Sequence, residues 1–533
     1  MWEWWRLLRV TYLTADPRSL GVFRVGLAAA LLCDLLRRWV GLGLWYTNSG
    51  LLPNHTLLWR PPAERQFSLF FTVSNEQEAT LGFALCGLVY LLLLVGYRTR
   101  LMQLLALVAR VSLNGRLSAL ENGGDMVLNL LCLLSFPLPL GARFSLDAVA
   151  ASQREGIREP VPWAKKPVVS IAVLGLILQF ATIYLLNAAS KHGHSWRDGS
   201  AVHYALHQDK LVTWAGVWMR ETLPASWLRL LTWSVLATEW AAFWLIVTPL
   251  FSFQSRAIVV CVMPLLHLGF ALGLNLGGFS LAMSSFYPLL LSAEHWEALS
   301  RRFGARVQPF VERLELRVRA LLRWFNYPTV AAPSAVRRVL LEGLYALLLI
   351  AIATEVSNDN KPVPRALRLP QPAWAKAVIE YPRILQGWRM FAPEPPHQDT
   401  MIFVDARTAD ARRVDPYNEV ASDQRYPSGD VVPTHMGQSQ YFVMYSDRIG
   451  NVGYAAYRQA FSDWLVAYPE RTGRPQDCLV SFDVYLVTDD SPAPGHRQPK
   501  PHGRTRFMSY SAPFDSPCRT LQASRPAGPP QAG

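Results

Sequence analysis

Nine apolar segments occupy most of the first two thirds of the sequence, separated by short charged loops. A membrane-spanning helix needs about 20 mostly apolar residues, and most of these segments approach that length, the third and the eighth being the shortest. We therefore predict an all-α multi-pass membrane bundle with about eight or nine transmembrane helices. The predicted spans are 19–36, 79–96, 100–113, 124–140, 168–188, 230–249, 257–276, 278–293 and 339–355.

The sequence after residue 355 is polar and rich in proline and arginine. "MIFVDAR" (401–407) and "FDVYLVTD" (482–489) have the pattern of strands, "VDPYN" (414–418) that of a turn, and "YAAYRQAFSDWLVAY" (454–468) has helical period. We predict a small α+β extramembrane domain that follows the bundle. The predicted organisation is an interfacial segment 1–18, a transmembrane domain 19–295, a basic amphipathic segment 296–338, a last transmembrane helix 339–355, an α+β domain 356–490 and a disordered tail 491–533.

Lysine and arginine are distributed unequally between the predicted loops. With a cytoplasmic N-terminus, the inside segments carry roughly twice as many of these residues as the outside segments, as the positive-inside rule requires. Nine spans then place the α+β domain outside. The same membrane face is predicted to carry three segments: the loop 114–125, the loop opened by Lys191 and the region after 355. Because topology accounts for the 52 Lys+Arg against 39 Asp+Glu, nucleic acid is not an expected partner.

The six cysteines are scattered, and four of them lie inside apolar segments. Only Cys478 and Cys518 are left as a disulfide pair, and their pairing requires an oxidising compartment. The sequence leaves that pairing open.

The segment "NAASKHGHSW" (187–196) follows the apolar part of the fifth predicted span, 168–188, and carries Lys191 just beyond its end. A lysine held against apolar helices loses hydration, so its pKa falls and the free amine can act as a base. The alternative is that Lys191 extends along the helix end to the lipid headgroups as an anchor.

Four histidines lie within "KHGHSWRDGSAVHYALH" (191–207). His203 and His207 are spaced by four residues and would share a helix face, so they are a candidate metal pair with His192 or His194. The segment lacks the glutamate of a zincin motif and has no cysteine beside it. We predict no metal site, with His203 and His207 as the alternative.

Polar residues inside the predicted spans are costly and usually face the interior of a bundle. Arg24 and Asp34 lie in the first span, Glu239 in the sixth and His267 in the seventh. Gly123 and Gly124 precede Asp125 at the start of the fourth span, where glycine permits close packing of helices. The segment 301–323 alternates arginine with apolar residues at helical spacing, which predicts an amphipathic helix on the cytoplasmic surface.

Four motifs together resemble the HTTM domain, the membrane domain that vitamin K-dependent gamma-carboxylase shares with many bacterial proteins. They are "RSLGVFRVG" (18–26), "YTNSGLLP" (46–53), "NGRLSALENGGD" (114–125) and "SKHGHSWRDGSAV" (190–202). The resemblance covers about residues 12–295 and is to the bacterial branch. It implies an integral protein of the bacterial inner membrane with its C-terminal domain on the outside.

In the carboxylase a lysine just before a Trp-x-x-Gly turn deprotonates reduced vitamin K. The resemblance places Lys191, Trp196 and Gly199 on that motif, and it implies reduced vitamin K or another hydroquinone as cofactor. It also implies a substrate-binding set that comprises Arg116, Asn122, Asp125, His192, His194 and Trp196.

Three functions stay open at this point. The first is carboxylation or epoxidation chemistry that uses Lys191 as a base on a hydroquinone-type lipid, with a secreted or periplasmic protein as substrate. The second is a non-catalytic membrane scaffold or lipid-binding protein whose outer domain recruits a partner. The third is a metal-dependent membrane redox protein.

Overall fold

The computed structural model describes residues 2–59, 65–322, 335–419, 439–496 and 502–524. Most of this part of the chain is helical, with a small antiparallel sheet near the C-terminus. The helices before residue 360 are α1 Trp2–Leu8, α2 Pro17–Trp39, α3 Leu42–Tyr46, α4 Asn54–Leu58, α5 Glu76–Val95, α6 Thr99–Arg116, α7 Gly123–Ser135, α8 Leu146–Arg154, α9 Pro162–Lys165, α10 Ile171–Ser190, α11 His194–Asp198, α12 Ala201–Leu206, α13 Trp214–Thr222, α14 Ala225–Val247, α15 Ser252–Gly273, α16 Phe279–Phe286, α17 Ala293–Leu322 and α18 Ala335–Asp359.

Six helices in the described part of the chain are long and apolar enough to cross a membrane: α2, α5, α10, α14, α15 and α18. They correspond to six of the nine predicted spans. The other three predicted spans are also helical, but α6 contains three arginines, α7 has 13 residues, and α16 has 8 residues before a short 3-10 turn. The extent predicted for the fourth span, 124–140, is therefore too long, since Pro137 follows the end of α7 and cannot continue it.

The helix ends fall into two groups. The first residues of α2, α10 and α15 lie at one end of the bundle together with α17, where Trp296 Nε1 donates to Ser19 Oγ at 2.8 Å and His295 Nε2 to the Phe253 carbonyl at 2.8 Å. The last residues of α2, α10 and α18 lie at the other end. We call the first the opposite end. The second is the outer-domain end, because it contacts the sheet-containing region after residue 360, which we name the outer domain for its predicted position.

The outer domain is built on one sheet and several short helices. Its strands are β3 Gln398–Thr408, β4 Arg413–Val414, β5 Leu479–Asp490 and β6 His502–Ser511, after the two-residue strands β1 Thr14–Ala15 and β2 Val168–Val169 of the bundle. All neighbours are antiparallel, in the order β4-β3-β5-β6. Its helices are α19 Ala373–Glu380, α20 Gln440–Ile449, α21 Arg458–Val466, α22 Tyr468–Thr472 and α23 Pro517–Ala523.

The alternation of β3 explains how the sheet packs. Ile402, Val404 and Ala406 are buried on one face, where α20 and α21 cover the sheet with Tyr445 and Phe461. The two predicted strands and the turn at 414–418 are confirmed, and the predicted helix 454–468 is a 3-10 turn that continues into α21.

The predicted disordered tail 491–533 is wrong for residues 502–524. Strand β6 pairs with β5 over most of its length, and Cys518 of α23 forms a disulfide with Cys478. The proline-rich stretch before β6 concealed the strand, because its own pattern is short and its stability comes from its partner strand. The boundary predicted at residue 490 is displaced for the same reason.

Candidate functional site

Lys191 points into the bundle at its outer-domain end. Its ammonium lies 2.6 Å and 2.7 Å from the two carboxylate oxygens of Glu239 on α14, and its side chain is 3% exposed. Asn187, one turn earlier on α10, donates to the same carboxylate at 3.0 Å. Burial lowers the pKa of the Lys191 ammonium, while the carboxylate of Glu239 opposes that change. The alternative in which Lys191 extends outward to the lipid headgroups disagrees with this buried position.

Trp196 forms the aromatic wall of this site. The Lys191 ammonium lies 4.5 Å from the centre of the Trp196 ring, which is a favourable cation–π distance. The indole N–H donates to the Phe391 carbonyl at 2.9 Å, so the ring is held in one orientation. Gly199 ends α11 with φ +87°, a backbone conformation that favours glycine, and it thus closes the turn that carries Trp196.

A second polar group lies deeper on the same face of α10. Tyr184 precedes Asn187 by three residues and Lys191 by seven, a spacing that aligns all three side chains. The Tyr184 hydroxyl bonds to His267 Nε2 at 2.8 Å and to the Tyr287 hydroxyl. All three of these side chains are buried. A row of proton-carrying groups thus extends from Lys191 into the bundle.

Residues 381–396, which we call the strap, pass across the outer-domain end of the bundle. Met390 N donates to the Asn187 side chain at 2.8 Å, and Gln386 accepts from Gln179 on α10 at 2.7 Å. The strap then reaches the loop after Lys191, where Gly193 N donates to the Pro393 carbonyl at 3.1 Å. The strap therefore covers the Lys191 site and fixes the side chains beside it.

The strap ends on the first turn of α11. The Glu394 carboxylate accepts hydrogen bonds from His194 N and, at 3.1 Å, from Ser195 Oγ. Burial raises the pKa of Glu394, but these hydrogen bonds outweigh it and lower the pKa overall. Gly193 makes this contact possible, because a Cβ there would lie 2.0 Å from Glu394.

A buried network of arginines and carboxylates ties α2, α6 and α7 together. Asp34 pairs with Arg38 and Arg110 at 2.7 Å each, and Asp125 pairs with Arg110 at 2.6 Å. Asn122 caps α7 and donates to Asp125 at 2.9 Å. The predicted residues Asp34, Asn122 and Asp125 are thus brought together here, in a network separate from Lys191.

The loop 114–125 is connected directly to the outer domain. Glu121 forms a buried ion pair with Arg383 of the strap, and its backbone carbonyl accepts from Arg448 at 3.1 Å. Burial raises the pKa of Glu121 against the effect of Arg383. Arg116 is also buried and donates to the Leu52 carbonyl at 2.7 Å. The predicted placement of the two loops and the C-terminal region at one end is confirmed.

Arg24, Gly123 and Gly124 contribute to the packing of the bundle. Arg24 donates to the carbonyls of Leu140 and Phe144 at 3.3 Å and 2.6 Å. Gly124 packs against the start of α16, where an added Cβ would lie 2.7 Å from the backbone nitrogen of Phe279. Gly123 lies near the ring of the same residue. This is the close packing that the two glycines predict.

The histidines lie on the surface beside the strap. His192 and His194, which were predicted to bind substrate, are exposed. The Lys191 ammonium contacts Glu239 and Trp196 instead. His203 Nε2 donates to the Pro492 carbonyl at 2.9 Å and His207 Nδ1 to the His203 carbonyl at 2.7 Å. Across the described ranges, no three His, Cys, Asp or Glu side chains are grouped to hold a metal ion.

Sequence reasoning missed the partners of Lys191. Glu239 is the only acidic residue of α14, and an isolated acid in an apolar helix indicates a cation on a neighbouring helix. The spacing of Tyr184, Asn187 and Lys191 also indicates a polar face on α10. Neither signal identifies which helix supplies the partner.

A comparison of the chain with models of protein families, with curated proteins and with solved structures finds no match.

Proposed function

We propose that the chain is a membrane protein that performs proton-transfer chemistry on a hydroquinone-type lipid, with Lys191 and Glu239 as its acid–base pair. The proposal includes eight or nine spans, a bacterial inner membrane, a cytoplasmic N-terminus and an outer domain on the extracytoplasmic side. The observation that carries it is that the Lys191 ammonium is buried against Glu239 and Trp196 and does not face lipid.

The pair can hold its shared proton in two ways. In one, Lys191 is an ammonium and Glu239 a carboxylate; in the other, the proton has crossed the 2.6 Å hydrogen bond and Lys191 is a free amine. A low-dielectric site reduces the free-energy difference between the ionic pair and the neutral pair, because the neutral pair avoids the desolvation of two ions. The free amine of Lys191 can then accept a phenolic proton, which leaves an ammonium beside a phenolate.

The surrounding side chains fit a hydroquinone. Trp196 offers an aromatic face beside Lys191, and Tyr184, His267 and Tyr287 offer hydroxyl and imidazole groups that exchange protons. A bound hydroquinone would supply the acidic hydroxyls and two reducing electrons, with molecular oxygen as the co-reactant that accepts them. The strap excludes water from Lys191 and keeps Asn187 directed at Glu239.

Hydroquinone-dependent oxygen consumption by the full chain in lipid nanodiscs, with vitamin K hydroquinone as the probe, tests this function. We expect Lys191→Met to lower the rate by about 100-fold or more, the range of general acid–base catalysis. Lys210→Met is the matched control, because Lys210 also forms an ion pair, with Asp447 at 2.6 Å, at the same end of the bundle. A folded Lys191→Met variant with the rate of the unchanged chain would rule out the proposed role.

The double variant Lys191→Met with Glu239→Met separates catalysis from folding. It removes both charges together and so avoids an unpaired buried ion. We expect it to fold and to be inactive. Activity in this variant would show that the pair is structural.

A second function is supported by a separate feature of the outer domain. An open groove of about 600 Å³ lies between α21 and β6, the strand at one edge of the described sheet, with Gln459, Ser462 and Tyr510 among its lining residues. Grooves beside sheet edges are suited to extended segments of partner proteins. Recruitment of a secreted or periplasmic protein therefore remains as the alternative, and retention of such a partner by the Lys191→Met variant would favour it.

A further inference from the structure

Helix α17 is attached to the opposite end of the bundle by its first turn. His295 and Trp296 contact Phe253 and Ser19, which are at the starts of two membrane-length helices. The first turn thus lies at the level where these two helices begin. The rest of the 30-residue helix extends from this point.

Six large apolar side chains form an exposed stripe along α17. Their spacing of three, four and seven residues places them on one side of the helix, the side that also carries Trp296. The most exposed of them, Phe310, has 69% of its surface accessible. The stripe consists of Leu299, Phe303, Val307, Phe310, Leu314 and Leu321.

The other side of α17 is polar apart from the exposed Leu316, and it contacts α8 and the loop after it. Arg319 pairs with Glu315 at 2.7 Å and donates to Ser152 Oγ at 2.8 Å and to the Ile157 carbonyl at 3.2 Å. At about 100° per residue, Glu315 and Arg319 lie roughly opposite the stripe. The helix is therefore held from its polar side and by its first turn, and its exposed stripe lies on the same side of the helix as Trp296.

Arginines border the stripe along one edge. Arg302, Arg306, Arg313 and Arg317 are all exposed and project between the stripe and the polar side. An apolar stripe bordered by cations is the pattern of a helix that lies in the headgroup region of a bilayer, where the apolar side chains enter the acyl boundary and the cations meet phosphates. Guanidinium groups bind phosphate in a bidentate manner, which suits anionic phospholipids.

We propose that α17 lies in the membrane interface at the opposite end and binds the headgroups of anionic phospholipids. The stripe enters the acyl region, and Arg302, Arg306, Arg313 and Arg317 select the lipid by charge. This role is independent of the Lys191 chemistry, since it concerns the other end of the bundle.

Spin labels on the full chain test the placement of the stripe. Cys33 and Cys261, the exposed free cysteines of the described residues, are first replaced by alanine, and a label is introduced by Phe310→Cys or, on the polar side, by Glu312→Cys. In nanodiscs of phosphatidylcholine with phosphatidylglycerol, we expect the label at 310 to collide with oxygen and to be shielded from a water-soluble nickel reagent. The label at 312 is expected to show the reverse.

Two outcomes at position 310 would overturn the proposal. Accessibility to the nickel reagent would place the stripe in water, and shielding from both reagents would show that another protein or a second copy covers it.

The charge selection is measured with spin-labelled phosphatidylglycerol and phosphatidylcholine. A single arginine in full headgroup contact corresponds to a preference of up to about five-fold. We expect a preference for phosphatidylglycerol that falls toward one in the variant Arg306→Gln with Arg313→Gln and Arg317→Gln. The matched control replaces three exposed arginines of the outer domain, Arg407, Arg474 and Arg506, by glutamine and should keep the preference. Equal preferences in the two triple variants would contradict the proposed selection.

Discussion

The Lys191 ammonium is placed between both carboxylate oxygens of Glu239, at 2.6 Å and 2.7 Å, although the two residues are 48 positions apart and belong to different helices. A buried ion pair is held by its geometry and by further contacts, which here are a hydrogen bond from Asn187 to Glu239 and a cation–π contact of Lys191 with the Trp196 ring. The bond to Asn187 is itself fixed by Met390 of the strap. The pair therefore couples α10, α14 and the strap into one unit.

The first prediction concerns the stability of this unit. Glu239→Gln leaves the Lys191 ammonium buried without its counter-charge, which costs about 3–5 kcal/mol. We expect a lower midpoint of thermal unfolding for Glu239→Gln, followed by tryptophan fluorescence in detergent. Lys191→Met with Glu239→Met should recover much of the loss, because no unpaired charge remains. If the double variant were no more stable than Glu239→Gln, the cost would not come from the unpaired charge.

The second prediction concerns Gly193 and the strap. Gly193→Ala places a methyl group 2.0 Å from the present position of Glu394, so the carboxylate must leave the first turn of α11. We expect faster hydrogen–deuterium exchange across 381–396 and the loop 191–199. Gly269→Ala is the control, because a Cβ at that position meets no atom within 4 Å. Unchanged exchange in Gly193→Ala would mean that the strap does not depend on the Glu394 contact.

Six of the nine predicted spans and the two predicted strands, within β3 and β5, could be predicted because each depends on a local pattern. The loops at the outer-domain end lie together as predicted, although that prediction rested on charge bias and on nine spans, and six helices of the described residues have membrane-spanning length. The partner of Lys191 could not be predicted, because the sequence does not show that α14 packs against α10 with Glu239 level with Lys191. Nor does a local pattern show that Arg110 of α6 lies beside Asp34 of α2.

Strand β6 was also not predictable from its own residues. Its residues gain stability from pairing with β5 and from the Cys478–Cys518 bond, and the pattern of β6 itself shows neither partner. The composition of residues 491–501 is that of a disordered segment, and it hid the strand that follows. Cysteine counting left a single possible pair without deciding whether it forms, and the structure shows it as a disulfide.

The third prediction concerns this disulfide. It closes a loop of 40 residues, for which the chain-entropy model gives about 4 kcal/mol of stabilisation. Cys518→Ser should therefore make β6 and α23 sensitive to limited proteolysis at temperatures where the unchanged outer domain resists it. The same protease resistance in both proteins would contradict this. Treatment of the unfolded unchanged chain with a maleimide, before and after reduction, provides the control, since reduction should release two more reactive thiols.

The fourth prediction is a pH dependence of the outer domain that arises from Asp415. This carboxyl is buried beside β3, and burial raises its pKa to about 6, although hydrogen bonds from Asn418, Val404 and Tyr417 act in the other direction. A raised pKa in the folded state means that ionisation opposes folding. Stability is therefore greatest below the unfolded pKa near 3.8 and falls as the pH rises through about 6, by on the order of 3 kcal/mol in total.

Hydrogen–deuterium exchange of residues 398–418, corrected for the intrinsic effect of pH, measures this dependence. We expect more protection at pH 5 than at pH 7.5 in the unchanged chain. Asp415→Asn cannot ionise, so the difference between the two pH values should become much smaller, even though the amide loses acceptors for the surrounding N–H groups. A pH difference of the same size in Asp415→Asn would assign it to another group. Asp483 on the neighbouring strand has a partly exposed carboxylate, and the control Asp483→Asn should keep the difference.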